Sequence, residues 1–200
     1  MLFVPTMSGV GDRAELGTPT TSLDTHIQDV LAVIDAENLT DITLIGHSYG
    51  GFVATGVADR ARDRILRLIY LDAFVPENGK SLYELLGRPV DPNADWRVPP
   101  RPIPPDTSEA DARWIAEKRT AQPLGCFTAK LIVGNEAALP PRSYIRCTRV
   151  APDDPMRTSM QRARQSGWIY REIDASHSPH ITAPDLLATT IMDIVSTDIR

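Results

Sequence analysis

Thr43-Leu44-Ile45-Gly46-His47-Ser48-Tyr49-Gly50-Gly51 is a short apolar run that ends in Gly-x-Ser-x-Gly. The chain beyond it has helical character, the setting in which this motif forms a nucleophile elbow. A strand-to-helix turn this tight needs small residues beside the serine. Gly46 and Gly50 meet that need, because a Cβ at either place is expected to strike the opposite arm of the turn. Such a turn lifts the Ser48 Oγ above the sheet and aims backbone N–H groups of the next helix at charge developing beside it. The bland alternative is a glycine-rich turn with an incidental serine. The strand before and the helix after favour the elbow.

The chain after the elbow extends the pattern. A helix is expected to run to about Arg60, with Phe52, Val53 and Val57 turned inward. Leu66-Arg67-Leu68-Ile69-Tyr70-Leu71 then reads as a strand buried on both faces. Asp72 closes that strand, on the rim where sites form in open α/β sheets. Position alone serves equally a catalytic acid, a helix cap or a surface acid.

Upstream, Leu2-Phe3-Val4 reads as a strand stopped by Pro5. Ser22 or Asp24 is expected to cap a helix with Ile27, Val30, Leu31 and Ile34 on one face, leaving His26 at the surface or a pocket rim. Downstream, residues 75–142 change character. Pro89, Pro92, Pro99, Pro100, Pro102, Pro104 and Pro105 interrupt regular structure before Thr107 or Ser108 caps a short helix. Leu82, Tyr83, Leu85, Leu86, Trp96, Trp114 and Phe127 need a surface to cover, so the stretch is expected to be a cap over a site, not a loose excursion. Strand character returns at Ser143–Cys147 and Trp168–Ile173, and Pro184 opens a final helix. The expected domains are an α/β core of residues 1–74 and 143–200, with mostly parallel strands and helices on both faces, and an inserted cap of residues 75–142.

Composition bounds the function. Two hundred residues suffice for one domain with an insertion. A net charge of −5 without a basic patch argues against nucleic acid. No apolar run approaches the ~20 residues of a membrane helix. Cys126 and Cys147 fit no zinc spacing and Met1-Leu2-Phe3-Val4-Pro5 is no signal peptide, so a cytoplasmic protein without metal or cofactor is expected.

A serine hydroxyl needs a base, and the base needs a carboxylate to set its tautomer. Of four histidines, His177 and His180 follow the last strand, where the chain order Ser…Asp/Glu…His places the base. His177 lies nearer the strand and is preferred. His47 is expected to point away from Ser48.

Gly-His-Ser-Tyr-Gly-Gly, Tyr70-Leu71-Asp72-Ala73-Phe74-Val75-Pro76 and Ser176-His177 with Thr182-Ala183-Pro184 together resemble the α/β-hydrolase superfamily. The resemblance is strongest to its small esterases related to plant methylesterases and hydroxynitrile lyases. Leu23–Val30 and the Pro5-Thr6…Gly9-x-Gly11 loop are similar to bacterial members. The resemblance implies Ser48 as nucleophile, His177 as base and the Tyr49 N–H as one oxyanion donor. It implies hydrolysis of a small carboxylic ester, and it leaves a homodimer open. The methylesterase branch takes its acid after the penultimate strand, at Asp153 or Asp154 here, whereas other members place it at Asp72. The defined strand register favours Asp72. A lyase would need a positive side chain in the pocket, and no lysine is evidently placed for it. A non-catalytic binder is the reading from another class.

Family members also carry earlier strands, the last with a His-Gly that supplies a second oxyanion donor. No His-Gly precedes Ser48 here. The resemblance implies that the true start lies upstream or that the chain is a truncated relative, weakly active or poorly soluble. Two central strands would then lack a neighbour, and Gly9, Gly11 or the cap would have to supply the second donor.

Overall fold

The computed structural model describes residues 1–150 and 153–197. After a 3-10 turn at Gly11–Leu16, α1 spans Leu23–Ala36 and begins at Ser22, whose N–H donates to Thr25 Oγ1 at 3.1 Å. β1 (Ile42–His47), α2 (Gly50–Arg60) and β2 (Ile65–Leu71) follow. Residues between β2 and the next long strand form α3 (Leu82–Leu85), a two-residue pair of strands β3 (Arg97–Val98) and β4 (Gln122–Pro123), α4 (Glu109–Lys118) and α5 (Gly125–Thr128). Then come β5 (Arg142–Cys147), α6 (Arg157–Gln165), β6 (Ile169–Ile173), α7 (Pro179–Thr182) and α8 (Pro184–Ser196).

The main sheet has the order β1-β2-β5-β6 and is parallel throughout. Its register sets the site. His47 pairs with Leu71, and Leu71 with Ile145, so the residues that follow β1 and β2 emerge side by side at one rim. Alternate residues of β2 serve opposite faces, as strand geometry requires. Leu68 and Tyr70 face α1, α2 and α6, while Ile69 and Leu71 face α8 through Leu187 and Ile194. Helices on both faces explain why β2 is buried at six of its seven positions. Among the described residues no helix is long and apolar enough to cross a membrane.

The turn glycines differ from expectation at one place. A Cβ on Gly46 would lie 2.5 Å from the Gly50 carbonyl oxygen, so Gly46 is required. A Cβ on Gly50 would meet nothing within 4 Å. The tight contact belongs instead to Gly51, whose Cβ would fall 2.2 Å from the Phe74 carbonyl oxygen, where the loop after β2 crosses α2.

Three further expectations are corrected. Leu2–Val4 is not a strand, and Leu2 and Val4 are exposed. A strand exists only through a ladder with a neighbour, and no described strand lies beside these residues. The sheet therefore has one edge strand on that side, β1, paired with β2, and not two strands lacking a neighbour. Ile42, Leu44 and Ile45 are accordingly only partly buried. His26 is not at a surface but fully buried. Trp114 lies outside the core: α4 buries Ile115 and leaves Trp114 largely exposed, while Leu82, Tyr83 and the α5 residue Phe127 do turn inward.

Candidate active site

Ser48 sits at φ +55°, in the left-handed region that residues with a side chain adopt only under constraint. Several bonds hold it there. Its N–H donates to the Leu71 carbonyl at 3.3 Å, and its carbonyl accepts from the N–H groups of Gly51 and Phe74 at 3.1 Å each. The Phe74 bond ties the elbow to the loop after β2. Asp72 is held in the same region, at φ +39°, by its N–H bond to the Ile145 carbonyl at 2.7 Å. Two adjacent parallel strands thus end in two constrained residues that face each other across the rim.

Between them comes the loop after β6. His177 Nε2 lies 2.9 Å from Ser48 Oγ, and His177 Nδ1 lies 2.7 Å from Asp72 Oδ2. Asp72 Oδ1 accepts from Arg146 Nη1 at 2.7 Å and from the Cys147 N–H at 3.3 Å. A carboxylate only 1% exposed needs such partners. Burial works to raise its pKa, but the His177 bond, the His177 charge and the Arg146 guanidinium outweigh burial and hold it below the usual carboxylate range.

The other candidates take other places. His180 bonds to neither Ser48 nor Asp72; its ring meets His47 edge-on, with centroids 5.1 Å apart. His47 is more involved than its strand position suggests. Its Nε2–H donates to the His177 backbone carbonyl at 2.6 Å and anchors the loop that carries His177. Burial, with His177 and His180 beside it, lowers its pKa to about 3, so the ring stays neutral and this donor persists. Asp153 is exposed. Asp154 reaches Arg146, with Nη2 to Oδ2 at 2.5 Å, and not His177.

Tyr49 precedes α2, so its N–H belongs to the first turn beside Ser48. Its side chain is fixed from below. The Tyr49 hydroxyl donates to His26 Nδ1 at 3.2 Å, and His26 Nε2–H donates to the Ser8 carbonyl at 2.9 Å. This buried relay gives His26 a role no periodicity could assign. Burial lowers its pKa and keeps it neutral. The loop it holds does not offer the expected second oxyanion donor at its glycines. The Gly9 N–H is bonded to the Arg13 carbonyl at 2.9 Å and the Gly11 N–H to Thr120 Oγ1 at 2.8 Å.

Ser48, Asp72 and His177 open into a cleft of about 980 Å³. Tyr49, Phe74, Leu82, Tyr83 and Phe127 give it an apolar lining, to which prolines between Pro99 and Pro105 add. Lys118 also lines it, 3.6 Å from Asp12, so a lysine does reach the cleft.

A parallel sheet with a serine, a histidine and a carboxylate in hydrogen-bonded series at its carboxyl rim defines the α/β-hydrolase class. The chain belongs to the Alpha/beta hydrolase family, whose sequence model matches residues 2–190. It is 35% identical to a carbendazim hydrolyzing esterase of Nocardioides sp. (strain SG-4G), covering 94% of this chain and 85% of that one. Among solved structures it is similar to an extracellular alpha/beta-hydrolase from a Paenibacillus species, with a TM-score of 0.74 at 21% identity over 94% of this chain and 85% of the other. A methylesterase from Arabidopsis matches at a TM-score of 0.74 and 20% identity, over 95% and 84% of the two chains. The family match and the fold make the chain an α/β-hydrolase, and the relative that it matches at 35% identity is an esterase.

Proposed function

We propose that the chain hydrolyses a small carboxylic ester through an acyl-enzyme on Ser48, with His177 as base and Asp72 as its acid. One observation carries this reading: Ser48 Oγ, His177 and Asp72 form an unbroken hydrogen-bonded series on the floor of the cleft. The His177 Nδ1–H donates to Asp72 Oδ2, which leaves Nε2 free to accept the Ser48 proton as Oγ attacks the ester carbonyl. The Tyr49 N–H stabilises the oxyanion. His177 then returns the proton to the departing alcohol. Water, activated by the same histidine, releases the acid. Asp72 stays ionised throughout and stabilises the imidazolium.

Residues 75–142 act as the cap in this reading. Tyr83 and Phe127 stack at 5.9 Å and Tyr49 meets Phe127 at 5.3 Å, an aromatic wall that suits an ester with an apolar body. The name of the 35% identical relative makes carbendazim a test substrate beside short-chain aryl esters.

The experiment is product partitioning with hydroxylamine. A p-nitrophenyl ester and a phenyl ester of one acid should give the same ratio of hydroxamate to free acid, because both pass through one acyl-enzyme. A ratio that follows the leaving group would mean direct attack by water. Absence of turnover on aryl esters and carbendazim alike would favour a non-catalytic binder. Cleavage of a cyanohydrin without ester turnover would favour the lyase.

A further inference from the structure

A buried basic residue sits near the carboxyl end of β5. Arg146 lies between Ile145 and Cys147 in β5, and its side chain is only 7% exposed. It bridges two carboxylates, with Nη1 on Asp72 Oδ1 at 2.7 Å and Nη2 on Asp154 Oδ2 at 2.5 Å. Asp154 is itself 7% exposed, and its Oδ1 accepts from the Met156 N–H at 2.9 Å. Its carboxylate is therefore held against the guanidinium. An arginine that served only to neutralise Asp72 would undo what a triad acid is for. With Asp72 and Arg146 alone, the opposite charges cancel and little field remains to favour an imidazolium. A second buried carboxylate on the far side of the guanidinium changes the balance. The three groups then carry one net negative charge, and protonation of His177 brings the cluster to neutrality.

We propose that Arg146 and Asp154 are positioning residues of the active site. Arg146 fixes the Asp72 carboxylate, and Asp154 offsets the guanidinium so that Asp72 keeps its charge for His177. This rests on the reading of His177 as base and Asp72 as its acid. The other groups around His177 do not supply that charge. His47 is neutral, and His180 stands beyond it with Arg119 near by. Tyr144 donates to the Ala73 carbonyl at 3.0 Å, and burial holds both it and Cys147 in their uncharged forms. Arg149 lines the cleft but is engaged by Asp174 and Asp106. Asp154 is the carboxylate that meets Arg146 opposite Asp72.

The test is the pH profile of kcat/KM for an aryl ester in two variants. Asp154→Asn keeps the side chain's volume and removes its charge. The uncompensated guanidinium then disfavours the imidazolium. The acid limb should move to lower pH by about half a pH unit or more, and the plateau should fall several-fold to about tenfold. Arg146→Gln removes the opposing charge, so its acid limb should move to higher pH. A merely structural brace would lower stability or scale the whole profile without moving the limb. An unmoved acid limb in Asp154→Asn, with melting and plateau unchanged or lowered together, would overturn the proposal. Asp154→Asn decides the matter even where Arg146→Gln does not fold. His177→Ala separates the two levels. If it abolishes turnover while Asp154→Asn leaves the limb in place, only the role of Asp154 fails; if it leaves turnover intact, the underlying reading fails.

Discussion

Ser48→Ala and His177→Ala should each lower kcat/KM for a p-nitrophenyl ester by ~10⁴ or more while leaving the melting transition nearly unchanged. The two losses should be of similar size, and the double variant should be little worse than either, because nucleophile and base act as one unit. The hydroxyl has no other route to reactivity: Oγ sits 2.9 Å from His177 Nε2, and without that acceptor its proton has nowhere to go. His180→Ala should cost far less. Its ring touches His47 and makes no bond to Ser48 or Asp72. Steady-state kinetics on purified variants checks the set. A severe loss in His180→Ala beside a mild one in His177→Ala would reverse the assignment of the base.

Asp72→Asn should cut turnover by ~10⁴. The amide is of similar size, so packing under the rim survives. An amide that keeps its oxygen toward Arg146 presents an NH₂ to His177, which favours the tautomer with its proton on Nε2. The ring then cannot accept from Ser48, and the imidazolium loses its charge partner. Asp153→Asn should be close to silent, since that residue is exposed. Asp154→Asn should fall between them, because its carboxylate reaches the triad only through Arg146. A larger loss from Asp153→Asn or Asp154→Asn than from Asp72→Asn would place the acid after β5, as in the methylesterase branch.

The parts of the fold that could be read from residue order are those set by local pattern. The apolar run before Gly46, the double-sided burial of β2 and the proline that opens α8 are local signals, and the elements stand where those signals put them. The elbow's position followed from the same logic. What escaped reading depends on neighbours distant in sequence. Leu2–Val4 has the composition of a strand but no described partner to make a ladder. Gly51 matters because the Phe74 carbonyl crosses above it, a contact invisible from the motif, which drew attention to Gly50. His26 sits beside the apolar stripe of α1 and reads as a rim residue. It is buried because Ser8 and Tyr49 satisfy both ring nitrogens. Arg146 offered a weak signal, a charge between Ile145 and Cys147, but its two carboxylate partners come from other parts of the chain and only the fold joins them.

The central claim is that Ser48 becomes acylated with His177 as its base, and covalent labelling tests it most directly. The protein should react with a fluorophosphonate to one adduct per chain. Peptide mass spectrometry should place that adduct on Ser48, and labelling should vanish in Ser48→Ala and slow by orders of magnitude in His177→Ala. Stoichiometric labelling of Ser48→Ala, or an adduct mapped to another residue with ester hydrolysis lost alongside, would contradict the account.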